Sequence, residues 1–201
     1  MSVQLHFYFE FASTYSHITA QRIEKRAAEH GVTVSYHPFL LGPIFKAQGW
    51  NDSPFNIYPA KGRYMWRDLE RRCALYNLDF KKPTQFPRNG LRAARIATAA
   101  IREPWLPEFV RRVYRANFVD DANIADQSVL SGILEQLTDA SDTIFQRSRS
   151  EETKQALRAT TDRAIELGVF GAPAFIVESE LFWGDDRLED ALRLAIQTDS
   201  A

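Results

Sequence analysis

Residues 4–11, "QLHFYFEF", alternate and are rich in aromatic side chains, which predicts a strand. The next five residues, "ASTYS", are small or hydroxyl-bearing. "HITAQRIEKRAAEHG" then sets Ala20, Ile23 and Ala27 on one face, with Gly31 as a stop, so a helix is predicted. In "VTVSYHPFLL", Val32, Val34, Tyr36 and Pro38 fall on one side of a second strand and the β-branched Thr33 on the other. Two extended segments separated by one helix suggest a βαβ unit.

The middle of the chain reads differently. "LGPIFKAQGWNDSPFNIYP" is predicted to be a long loop. From about residue 60 to 168 the pattern is helical, divided by loops such as "KKPTQFPRNG" and "REPW". "GAPAFIVESELFWGDD" predicts two short strands joined by a tight turn at Glu178–Glu180. A last helix follows, with Leu188, Ala191, Leu192, Ala195 and Ile196 on one stripe. No repeat or low-complexity segment interrupts the chain. Without the helical block the order is βαβ–ββα, that of a thioredoxin-like core. The expected fold is therefore α/β, with a large all-helical insertion. Residues 1–42 and 164–201 would form the thioredoxin-like domain and residues 43–163 the inserted helical domain.

Composition narrows the function. A net charge of −1 offers no electrostatic case for nucleic acid or a membrane surface. No apolar run approaches a membrane span, and the N-terminus carries no signal-peptide pattern. One cysteine, Cys73, excludes an intrachain disulfide and a thiolate metal cluster. His6, His30 and His37 lack metal-ligand spacing. A soluble protein of a reducing compartment is expected, with a cytoplasmic location.

In a thioredoxin-like core, the turn between the first strand and the first helix is the active-site position. A helix N-terminus offers unpaired N–H groups and partial positive charge, which stabilise an anion. Redox members place Cys-x-x-Cys there. Here the turn is Ser13-Thr14-Tyr15-Ser16, which cannot form a disulfide. Two readings stand: a serine or threonine that merely caps the helix, or a hydroxyl that holds a thiolate brought by a ligand such as glutathione.

Three separated motifs favour the second. "FEFASTYS", "YPAKGRYMWRDLER" and "GVFGAPAFIV…FWGDDRLE" together resemble the 2-hydroxychromene-2-carboxylate isomerase and kappa-class glutathione transferase family, a DsbA-like branch of the thioredoxin fold, across residues 5–196. The resemblance implies that Ser13 is the catalytic serine. Thr14 and His17 depart from the family's usual proline and aromatic residue. It implies a cis Pro173, with Ala172 presenting its backbone to the cysteinyl part of glutathione; an ordinary trans proline opening a strand is the alternative. Asp185 and Asp186 map to the segment that binds the γ-glutamyl group, though acids at that point also cap a helix. Lys61 maps to the lysine that reaches the glycyl carboxylate, while Arg63, Arg67, Arg71 and Arg72 mostly read as a solvated basic face. Asn51 corresponds to an asparagine near the family's site, with Asn56 as a competitor.

The remaining candidates read as packing. Cys73 suits a small buried residue. Trp66 and Trp183 suit core or pocket wall, and Phe39, Trp50 and Phe55 suit either core or an apolar pocket for an aromatic substrate. The function implied by the resemblance is glutathione-dependent isomerisation of 2-hydroxychromene-2-carboxylate-type aromatic compounds, within aromatic catabolism. It leaves room for a homodimer. A kappa-type transferase or peroxidase, and a redox-inactive thioredoxin-like binding module, are the rivals.

Overall fold

A computed structural model describes residues 4–199. Strand β1 (Gln4–Phe9) leads into helix α1 (Thr14–Glu29), and strand β2 (Thr33–Pro38) returns parallel to β1. Gly31 takes the positive φ that ends α1, and the Val32 amide bonds back to the Ala27 carbonyl at 3.0 Å. Helices α2 (Leu41–Ala47), α3 (Pro54–Ile57), α4 (Pro59–Leu75), α5 (Leu91–Ala99), α6 (Leu106–Phe118), α7 (Gln127–Glu135), α8 (Ser141–Arg149) and α9 (Glu151–Glu166) follow. Strands β3 (Ala174–Val177) and β4 (Glu180–Trp183) form a hairpin, then a 3-10 turn at Asp185–Arg187 runs into α10 (Leu188–Asp199). The strand order is β2-β1-β3-β4, with β1 parallel to β2 and antiparallel to β3. The βαβ–ββα order is therefore present, with the helices between its halves.

Alternation in β1 is used on both faces. Phe7 pairs with Phe175 and faces a core built with Ala20 and Ile23 of α1, Leu192 of α10 and residues of α5 to α8. Tyr8 pairs with Ala174 and faces a smaller cluster with Phe39, Ile44 of α2 and Ala164 of α9. A third cluster joins Ile18 of α1 to Met65, Leu69 and Cys73 of α4. This last contact sets α4 beside the start of α1. Cys73 is buried there, and burial pushes its thiol up to about 11.

The segment 41–59 corrects the loop expectation, since it contains α2 and α3. Its prolines suggested breakage, but Pro43 lies in the first turn of α2 and Pro54 opens α3. Early positions lack intrahelical N–H partners anyway, so proline is tolerated there. Of the residues open to either core or pocket, Phe39 is core, being fully buried, whereas Trp50 and Phe55 line a cleft.

Candidate active site

β1 stops at Phe9, and the Ser13 amide bonds to the Glu10 carbonyl at 2.9 Å. This turn sets Ser13 as the N-cap of α1. Its Oγ accepts the Ser16 amide at 3.3 Å and donates to the Ala172 carbonyl at 2.9 Å. The helix start and the loop before β3 are thus tied through one hydroxyl. No acidic side chain occupies the first turn of α1, so its positive end is not neutralised from within the helix. Ser16 is fully buried and lines neither cavity described below.

Ser13 opens onto a cleft of about 1090 Å³. Phe45 and Trp50, in ring contact, line it with Phe55 and Phe86, as do Phe170 and Trp183, also in ring contact. Polar side chains reach the lining as well, among them Glu10, Asn51 and Lys61. Asn56 does not line the cleft; its Nδ2 donates to Asp52 and to the Phe86 carbonyl. A second cavity of about 670 Å³ shares Tyr15, Phe55, Lys61, Ala172 and Trp183 with the first. It adds Asp68, Arg72, Asp185 and Asp186. The two together form an apolar chamber joined to a charged one.

Of the residues expected at the site, Ser13, Asn51, Lys61 and Ala172 border the apolar chamber. Asp185 and Asp186 border the charged one, and Lys61 and Ala172 border both. The Ala172–Pro173 bond is cis. Pro173 lines neither chamber; its carbonyl accepts the Gly184 amide at 3.0 Å. That bond holds the Asp185–Arg187 turn against the loop before β3.

The two acids differ. Asp186 is exposed and pairs with Arg187 at 3.2 Å. Asp185 is 3% exposed and accepts Arg72 Nε at 2.5 Å. Burial pushes the Asp185 carboxyl up to about 6, with Arg72 pulling the other way. Arg72 is therefore not part of a solvated basic face. It crosses from α4 to the 3-10 turn and packs over Tyr76. Glu10 was also missed as a candidate. An acid at the end of a strand reads as a solvent-facing position, and only the fold shows the wall it joins.

The two departures from the family pattern have local partners. Thr14 Oγ1 donates to Met65 Sδ at 3.2 Å. His17 is buried against Tyr114 and Phe118, with Nε2 3.4 Å from the Asp79 carbonyl. Burial holds its pKa down to about 4. The unfolded chain binds this proton first, near pH 6.5. The stability that neutral His17 supports is thus present above 6.5 and lost as pH falls toward 4. In His17→Phe, an aromatic ring keeps the slot without titrating. Denaturant melts should show the parent losing ground to this variant across that window. The limit is about 3 kcal/mol.

Among the described residues, no group of three or more His, Cys, Asp or Glu is arranged to hold a metal ion. His6 and His37 instead bond to each other at 2.9 Å across β1 and β2. No described helix is long and apolar enough to cross a membrane.

Comparison with known proteins bears on the fold and the family. A 2-hydroxychromene-2-carboxylate isomerase of Sphingobium xenophagum is 29% identical over 191 residues, 94% of this chain and 96% of that protein. Glutathione S-transferase kappa 1 of Caenorhabditis elegans is 24% identical, over 92% of this chain and 87% of its own. A solved 2-hydroxychromene-2-carboxylate isomerase superposes with a TM-score of 0.86 at 26% identity, covering 98% of both chains. A family model described as a DSBA-like thioredoxin domain matches residues 4–197. With that match spanning nearly the whole molecule and the thioredoxin-like strand order in the structure, the chain belongs to the family of DSBA-like thioredoxin domains.

Proposed function

We propose that this chain is a glutathione-dependent isomerase of aromatic compounds of the 2-hydroxychromene-2-carboxylate type, acting in aromatic catabolism in the cytoplasm. One observation carries the reading: the Ser13 hydroxyl, at the start of α1, borders an apolar cleft that joins a charged chamber. Glutathione is divided in the same way, with a thiol in its middle and charges at its ends. The residues fit it. Lys61 suits the glycyl carboxylate and Asp186 the γ-glutamyl ammonium, while the amides of the Asp185–Arg187 turn suit the γ-glutamyl carboxylate. Ala172, turned at Pro173, suits strand-like pairing with the cysteinyl part, and Asn51 lies on the wall the substrate would face.

When bound, glutathione supplies a thiolate that adds reversibly to a conjugated substrate, so that a double bond becomes a rotatable single bond. Ser13 would turn its hydroxyl from the Ala172 carbonyl to hold the sulfur, and the α1 amides would favour the charged form. The aromatic walls exclude water and stack the substrate ring. The chain's single cysteine is buried in the third cluster, so dithiol exchange at this turn has no chemical basis. A kappa-type transferase is the second reading, favoured by the relative named above. Product analysis separates the two: isomerisation leaves glutathione undiminished, and transfer consumes it.

Calorimetry with glutathione tests the shared premise. Asp186→Ala should weaken binding about tenfold or more, the loss of one charge-assisted pair. Its melting temperature should change little, because Asp186 is exposed. An unchanged dissociation constant would remove Asp186 from the site.

A further inference from the structure

Glu10 sits beside Ser13 on the apolar cleft, and nothing proposed so far uses its carboxyl. Oε2 accepts the Ala12 amide at 2.9 Å, which folds the side chain back along the turn. Oε1 lies against Gly90, which makes room for it. A β-carbon at Gly90 would come within 2.9 Å of this oxygen and 3.0 Å of the Phe11 β-carbon. The carboxyl is thus clasped between the α1 turn and the segment before α5, with the cleft in front.

Its electrostatic setting is unusual for an acid. Arg88 and Asp52, Lys46 of α2, Lys61 of α4 and Tyr15 of α1 also border the cleft. Among the described residues none forms an ion pair with Glu10. Arg88 is occupied elsewhere, bonded to Asp121 and to Asn117. Tyr114 of α6 donates to the Glu10 backbone carbonyl at 2.8 Å, not to the carboxyl. Burial pushes the Glu10 carboxyl up to about 7, although the Ala12 and Ser13 amides pull it down. An acid titrating near the working pH can both give and take a proton.

We propose that Glu10 is a catalytic residue, the proton donor and acceptor for the substrate's ketone oxygen during isomerisation. The inference rests on the isomerase reading above. The chromene's ring carbon–oxygen bond first breaks as the hemiketal hydroxyl proton passes to the ring oxygen, giving a phenol and an open-chain ketone conjugated to its alkene. As the carbon–sulfur bond then forms at that ketone's β-carbon, the carbon–carbon π pair shifts toward the ketone oxygen. Glu10 delivers its proton to that oxygen and becomes a carboxylate. After rotation the carboxylate takes the proton back. The electron pair returns to the carbon–carbon bond, the carbon–sulfur bond breaks, and the sulfur leaves with its own pair. No proton or electron is gained or lost over the cycle, as an isomerisation requires. Ser13 and Glu10 then divide the work, one stabilising charge on sulfur and the other on oxygen.

The rival role is a local brace: Glu10 binds the Ala12 amide and only stiffens the turn. Glu10→Gln separates the two, because its amide oxygen still accepts that N–H but cannot transfer a proton at neutral pH. With glutathione and 2-hydroxychromene-2-carboxylate as probes, turnover should fall about a hundredfold, the usual worth of a general acid–base group. Glutathione affinity should hold within about twofold. The limb of the parent's pH–rate profile near pH 7 should vanish, and Glu10→Asp should restore part of the rate.

Infrared titration without ligand supplies a second readout. The parent-minus-variant spectrum should show a protonated carboxyl band that disappears near pH 7. If Glu10→Gln folds poorly, Gly90→Ala carries the test, since its methyl displaces the carboxyl without removing it. Turnover should again fall at unchanged glutathione affinity. A variant that matches the parent at every pH, or a Glu10 carboxyl ionised throughout, overturns the proposal and leaves the isomerase reading intact. A parent that binds glutathione but isomerises nothing overturns both.

Discussion

Replacing Ser13 with glycine is expected to lower turnover about a hundredfold or more, the typical effect of removing one donor to a developing anion. Glycine is the useful substitution because it is itself an acceptable N-cap, costing only a few tenths of a kcal/mol, whereas alanine costs about 1 kcal/mol. Ser13 Oγ serves the Ser16 amide and the Ala172 carbonyl in the structure, so a capping role is present whatever else it does. To serve a sulfur, the hydroxyl proton must turn from the Ala172 carbonyl into the cleft. Glycine leaves the cap nearly intact and removes the proton. The expected result is a melting temperature lowered by a few degrees at most, through the lost bond to the Ala172 carbonyl, with little change in glutathione affinity and a large loss of rate. The ultraviolet band of bound thiolate, titrated against pH, should report a higher thiol pKa in the variant. Ser16→Ala should shift that band less, since Ser16 is buried away from both chambers. If the parent shows no thiolate band near neutral pH, Ser13 is a cap and its catalytic role is refuted.

Arg72→Met should destabilise the protein by about 3 kcal/mol at neutral pH, the low end for breaking a buried pair from one side. The low end applies because the Arg72 side chain is 20% exposed while that of Asp185 is 3% exposed. Methionine keeps the packing and leaves a carboxylate with no partner. The pH dependence identifies the cause. Asp185 already titrates near 6 in the folded state, above its ordinary 3.8, and losing Arg72 raises it further. A raised carboxyl contributes stability below its unfolded pKa and loses it as pH rises through the folded value. The variant's deficit should therefore be largest in mildly alkaline solution and shrink as the pH falls. Adding Asp185→Asn should recover much of the loss, because the unpaired charge is then gone. A deficit independent of pH and untouched by Asp185→Asn would place the effect in Arg72's packing over Tyr76 instead.

Sequence by itself determined the elements whose signals are local. The alternating aromatics of residues 4–11, the hydroxyl-rich turn and the spaced alanines of α1 each report on their own few residues. β1, the Ser13 cap and α1 follow from them. The tight turn between β3 and β4 and the buried stripe of α10 were legible for the same reason, since periods of 2 and 3.6 are written along the chain. Proline positions in the segment 41–59 were legible too, but their meaning was not. A proline that breaks a helix interior is harmless in a first turn, and only the observed starts of α2 and α3 show where those turns lie.

Tertiary structure alone decided which distant groups meet. Ser13 and Ala172 are 159 positions apart, and Arg72 and Asp185 are 113 apart. No local pattern of polarity names a partner at such a distance. Arg72 therefore looked like its exposed neighbours on a basic helix, although it is the arginine that crosses to Asp185. Asn51 and Asn56 lie five positions apart in one polar stretch, and only the fold sends Asn51 to the cleft and Asn56 to Asp52. Glu10 is the clearest case. Alternation alone runs the strand signal through it, although β1 ends one residue earlier, and the raised affinity of its carboxyl for a proton comes from enclosure by Gly90 and the α1 turn. Desolvation is a property of everything packed around a group, and so it enters only when the chain has folded.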